Sequence, residues 1–130
     1  MQDRNWWLIT ALSGALMVMA GAFAAHGLQS QLSPRLLATF ETGVRYQAWH
    51  TLAMLGVLAW RAVRPLPGQR LALSLWTLGV VLFSGSLYAL ALTGIGRLGI
   101  ITPLGGLAMI AGWLALAVSV ARAQSLSGST

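Results

Sequence analysis

Residues 41 to 61, ETGVRYQAWHTLAMLGVLAWR, decide how this chain is read, because they form its one long apolar run that also carries ionisable side chains. At ~1.5 Å per helical residue, His50 lies ~15 Å in from Trp60, the middle of a ~30 Å hydrocarbon layer if the segment spans upright. Arg45 lies far shallower. Ionisable groups inside a span are costly, so His50 and its neighbours are the first candidates for a site. On a wheel of ~100° steps, Tyr46, Gln47, His50 and Met54 fall together. Glu41 and Arg45, four residues apart with the acid first, share the opposite face, where they are placed to pair at the interface.

The rest of the chain supports a membrane reading. It is 57% apolar and 8% charged over 130 residues, far below the roughly one quarter charged of soluble domains, so a single integral membrane domain, 1–130, is expected. Eight arginines face only Asp3 and Glu41. They are scattered between apolar runs rather than clustered with aromatics on one face, which argues against a nucleic-acid partner and for lipid headgroups. Without cysteine there is no disulfide, thiolate nucleophile or cysteine-held metal.

Residues 6–26 hold no charge before His26 and open on Trp6 and Trp7, interfacial anchors of a first span. Arg4, the apolar run and Ala22-Phe23-Ala24 also imitate a secretory signal, but the run exceeds the ~7 to 15 residues of a signal core. Ser33-Pro34 is a helix-start signal. Helical pattern from there to Trp60 is too long for one upright span, so a break at Gly43 is expected, with an interfacial helix over 34–42 and a span over 44–60. The arginine-rich turn RAVRPLPGQR leads into a third span, 71–92. Thr102-Pro103 reads as the capped start of a fourth, 102–120, and 121–130 as a frayed tail. The expected fold is therefore all-α, a polytopic four-helix transmembrane bundle with a short interfacial helix before the second span.

Small residues mark two packing seams, Gly14, Gly21 and Ala25 on the first helix and Gly105, Ala108, Gly112, Ala115 and Ser119 on the last. Seams left over within the chain would serve a homo-oligomer or another membrane protein. Arg4, Arg61, Arg64, Arg70 and Arg122 fall on one side and Arg35, Arg45 and Arg97 on the other, which favours both termini inside. In either orientation His26, Arg45, Tyr46, Tyr88 and Thr102 lie toward one leaflet with Gln47 and His50 beneath them, a candidate polar pocket.

Three runs carry a family resemblance: GAFAAHGL at 21–28, TGVRYQAWHTLAML at 42–55, and FSGSLYALALTG with ITPLGGLAMIAGW between Phe83 and Trp113. Together they resemble the YgdD-like family, domain of unknown function 423, which is similar to eukaryotic transmembrane protein 256. Ala24 stands where glycine is expected in many relatives. The resemblance implies a multi-helix bacterial inner-membrane protein and supplies no catalytic residue.

Function is thus read from residues alone. A structural, lipid-binding or assembly role with membrane lipids as partners stands beside a small transporter or proton relay using His50. Haem would need His26 and His50 at one depth, and they differ. A metal would need more than two histidines and a carboxylate on the far face, so no metal, cofactor or catalytic residue is expected.

Overall fold

The computed structural model describes residues 1–128, and positions 129 and 130 of the expected tail lie outside them. Four long helices follow in order: α1 Arg4–His26, α2 Pro34–Val63, α3 Gln69–Thr93 and α4 Thr102–Ser127, with 3-10 turns at Leu28–Ser30 and Gly96–Ile100. Among the described residues there is no strand. The extensive contacts join consecutive helices, α1 to α2, α2 to α3 and α3 to α4. Each pair is antiparallel: Gly14 sits near Thr51 and Gly21 near Val44, Gly43 meets Tyr88, and Gly105 and Gly112 meet Phe83 and Trp76.

Two expectations are corrected here. Residues 34–42 are not a separate interfacial helix, because α2 is one helix of 30 residues that runs through Gly43. A glycine is needed there for approach, not for a break. A Cβ at Gly43 would stand 2.8 Å from the Tyr88 ring, and the Gly43 carbonyl accepts a 2.7 Å hydrogen bond from Ser84 Oγ. α4 likewise continues past Val120 to Ser127, where a frayed tail was expected from residue 121.

Among the described residues, three helical stretches are long and apolar enough to cross a membrane: α1, α3 and residues 96–124. α2 is long enough at ~45 Å, but Arg35, Glu41, Arg45 and Arg61 lower its hydropathy. Its start is well made, since Ser33 Oγ accepts from Leu36 N with Pro34 behind it. Gly94, at φ 74°, ends α3 in the left-handed conformation that glycine adopts without strain.

Two apolar clusters hold the helices. Met54, Val57, Leu58, Leu73 and Trp76 form one, against which Trp6 and Trp7 pack; Ala24, Leu28, Phe40 and Ala91 form the other. The outward faces are apolar too, with Leu12, Leu16, Val18, Leu78, Val81, Leu107 and Leu114 all exposed. A soluble protein rarely leaves so much contiguous apolar surface in water, whereas lipid accepts it.

Candidate functional site

The polar residues of α2 do not gather into one pocket. They divide between its two sides, because Gln47 is ~100° around the helix from Tyr46. Gln47 and Thr51 face α1 and α3. Tyr46 and His50 face α3 and α4.

On the first side, a hydrogen-bonded chain crosses three helices. Tyr88 Oη on α3 donates to Gln47 Oε1 at 2.6 Å, and Gln47 Nε2 donates to Ser13 O and Ser13 Oγ on α1 at 3.1 and 3.2 Å. Ser13 Oγ in turn lies 2.7 Å from Thr51 Oγ1. Gln47 is 5% exposed, so an unmet amide here would carry a full desolvation penalty. Beside this chain, an open groove of about 640 Å³ runs between α1 and α3, lined by Leu16, Met19, Phe23, Val81 and Leu92, with Gln47, Ser84 and Tyr88 also on its wall.

On the second side, His50 is held by both ring nitrogens. Trp113 Nε1 lies 3.1 Å from His50 Nε2, and because an indole nitrogen only donates, Nε2 is the acceptor. The ring proton is therefore on Nδ1, directed at Tyr46 O 2.8 Å away. Trp76 and Trp113 pack edge-on to the imidazole with ring centres 6.0 Å from it, and Tyr46 stacks 6.4 Å away. Trp76 is fully buried and donates to Met109 O at 3.2 Å. Among the described residues, no buried side-chain nitrogen or oxygen lacks a hydrogen-bond partner.

The remaining candidates lie apart. His26 is exposed at the end of α1. Glu41 and Arg45 form no ion pair; Arg45 instead donates to Thr42 Oγ1 at 3.3 Å. Exposed i,i+4 pairs contribute only ~0.3 to 0.5 kcal/mol, too little to hold two long side chains together when a nearer hydroxyl is present. Thr102 does not cap α4, whose cap position is Ile101; its hydroxyl lies 2.6 Å from Ser86 Oγ and ties α4 to α3. The glycines of both seams face neighbouring helices of this chain. Gly14 and Gly21 face α2, and Gly105 and Gly112 are buried against Phe83 and Trp76. Ala108 is half-buried on α4, and Ser119 Oγ donates to Pro67 O.

One charged group escaped sequence reasoning. Asp3, at the left-handed φ of 60° that aspartate tolerates, accepts from Arg61 Nε at 2.7 Å and from Arg70 Nε and Nη2 at 3.1 and 2.9 Å. It thereby ties the amino terminus to the turn between α2 and α3. Its carboxylate is 8% exposed. Burial alone would raise its pKa, but the hydrogen bonds and charges of Arg61 and Arg70 outweigh burial and hold it below the ordinary value. The available signal was charge arithmetic, one acid on the side that carries five arginines.

Known proteins give this arrangement a family. A family model described as "Protein of unknown function (DUF423)" matches residues 20–106. A UPF0382 membrane protein of Haemophilus influenzae is 45% identical over 118 residues, covering 91% of this chain and 94% of that protein. The UPF0382 inner membrane protein YgdD of Escherichia coli is 36% identical over 130 residues, covering 94% and 93%, and the UPF0382 membrane protein YwdK of Bacillus subtilis is 38% identical over 117, covering 88% and 94%. No solved structure matches. With helices suited to lipid and likeness along nearly its whole length to proteins named for the membrane, the chain belongs to the DUF423 family of membrane proteins.

Proposed function

We propose that this is a bacterial inner-membrane protein of four spans, with both termini cytoplasmic, which holds a lipid acyl chain in the groove between α1 and α3. The observation that carries the reading is the groove's wall: its exposed side chains are apolar, while Gln47, Ser84 and Tyr88 spend their hydrogen bonds within the protein. An occupant meets packing surface and no free polar group, as suits a hydrocarbon tail. Transport or proton relay through His50 is disfavoured by the same accounting, since both imidazole nitrogens are committed to Tyr46 and Trp113.

The fourth span is α2. Its antiparallel packing between α1 and α3 along their length supports its sharing their slab of bilayer. The chain has no cysteine, which makes a clean test possible. Gln29→Cys and Val63→Cys flank α2 at exposed positions and should react with a membrane-impermeant maleimide from opposite faces. Labelling of both from one face would remove α2 from the membrane.

The groove is tested with a phospholipid carrying a photoreactive acyl chain. Gly85 lines the groove, and a Cβ there meets nothing within 4 Å, so Gly85→Phe should fill the groove without straining the fold. Crosslinks should concentrate on Leu16, Met19 and Val81 and fall in the variant. Crosslinks spread evenly over all outward faces, and unchanged by Gly85→Phe, would refute the proposal.

A further inference from the structure

A second groove, of about 530 Å³, lies between α3 and α4 at the end that carries the α2–α3 turn. Leu71, Leu75, Ala111, Leu114 and Val118 give it apolar walls, and Arg122 stands at its mouth beside Pro67 and Gly68. The same Pro67-Gly68 rim borders a hollow lined by Arg61 and Arg70. The charges at this end do not balance. Among the described residues, Arg4, Arg61, Arg64, Arg70 and Arg122 share this end with one acidic side chain, Asp3, whose carboxylate is already taken by Arg61 and Arg70. Arg64 and Arg122 are exposed, and their side chains have no partner among the described residues.

We infer that the α3–α4 groove binds an anionic phospholipid, its tail along Leu71, Leu75 and Leu114 and its phosphate at Arg122 and the Pro67-Gly68 rim. Charge complementarity selects this occupant. A zwitterionic lipid fills the apolar walls equally well but leaves the excess of arginines uncompensated, whereas an anionic headgroup neutralises it, and guanidinium groups match phosphate oxygens in a paired fork. A free phosphate would satisfy Arg122 and leave the walls empty. Each arginine near an anionic membrane surface contributes about a fivefold gain in affinity. The inference rests on the chain being embedded in the membrane, and not on occupation of the α1–α3 groove.

Native mass spectrometry of the detergent-solubilised full chain, titrated with phosphatidylglycerol or phosphatidylcholine of matched tails, tests it. Wild type should retain phosphatidylglycerol in preference. Arg122→Gln should lower that retention about fivefold. Ala111→Leu, which narrows the groove without changing charge, should lower it too. Arg35→Gln at the opposite end and Gly85→Phe in the other groove should leave it unchanged, so failure here is separable from failure of the acyl-chain reading. Equal retention of the two lipids, an equal loss in Arg35→Gln, indifference to Ala111→Leu, or displacement by excess inorganic phosphate would each overturn the inference.

Discussion

Gly105 sets α4 against the α3 backbone at Phe83, and Gly105→Ala tests the packing directly. A Cβ built there would stand 2.8 Å from both Cα and Cβ of Phe83 and nearer still to its backbone nitrogen. Backbone cannot rotate aside as a side-chain end does. The helices must part locally, carrying those atoms from 2.8 Å to the 3.4 Å where ordinary contact begins. Overpacking of this kind costs ~1 to 3 kcal/mol, and loss of the adjacent Ser86–Thr102 bond adds ~0.6 kcal/mol. Gly106→Ala is the matched control, since its Cβ would meet only the Phe83 ring, at 3.8 to 4.0 Å. Both variants gain the same helix propensity, so their difference isolates the clash and the lost bond at about 1.6 to 3.6 kcal/mol. Reversible unfolding in mixed micelles by added dodecyl sulfate, followed by tryptophan fluorescence, measures it. A Gly105→Ala variant within ~0.5 kcal/mol of Gly106→Ala would refute the close approach of these helices.

Three further outcomes follow from the polar contacts. Tyr88→Phe removes the donor to Gln47 Oε1 and should cost ~0.6 to 1.7 kcal/mol in the same assay, while Leu92→Ala on the groove rim should leave that bond intact. His50→Gln can still accept from Trp113 and should keep most stability, whereas His50→Leu leaves the indole unpartnered and should loosen the α2–α4 contact; equal tolerance of the two would count against a structural role for His50. Because Asp3 is held below its ordinary value of 3.8, its bridge contributes fully above that pH and is lost as pH falls through the folded value, so wild type should lose stability at acid pH and Asp3→Asn should show a flatter profile. A wild-type profile as flat as that of Asp3→Asn would mean that the bridge contributes nothing.

Local chemistry was legible in the chain and long-range pairing was not. Ser33-Pro34 announces the start of α2 because a cap is made within four residues. Thr102-Pro103 looked the same, yet Thr102 turns its hydroxyl to Ser86, a partner 16 positions earlier that no local rule can supply. The role of Gly43 is illegible for a related reason. A glycine inside a helical pattern signals a break or a close approach, and only the Tyr88 ring and Ser84, 41 and more residues away, decide between them. His50, Gln47 and Tyr88 stood out as ionisable or polar groups in apolar runs. That Gln47 pairs with Tyr88 while His50 pairs with Trp113 depends on the ~60° between the two residues around the helix and on which helix lies opposite each. The pairing of Asp3 is illegible in the chain because it precedes every helix and its partners are 58 and 67 residues away.

The spread of partners along Gln47 also orders events during synthesis. Ser13 has left the ribosome before Gln47 does, but Tyr88 follows 41 residues later. Until then the amide oxygen of Gln47 has no donor, and the segment around it is the least apolar long helix of the chain. A translocon weighing α2 alone would find little reason to release it into lipid. If α2 is the fourth span proposed above, its commitment to the bilayer waits for α3, and a nascent chain halted before Gln69 should leave α2 outside the hydrocarbon layer.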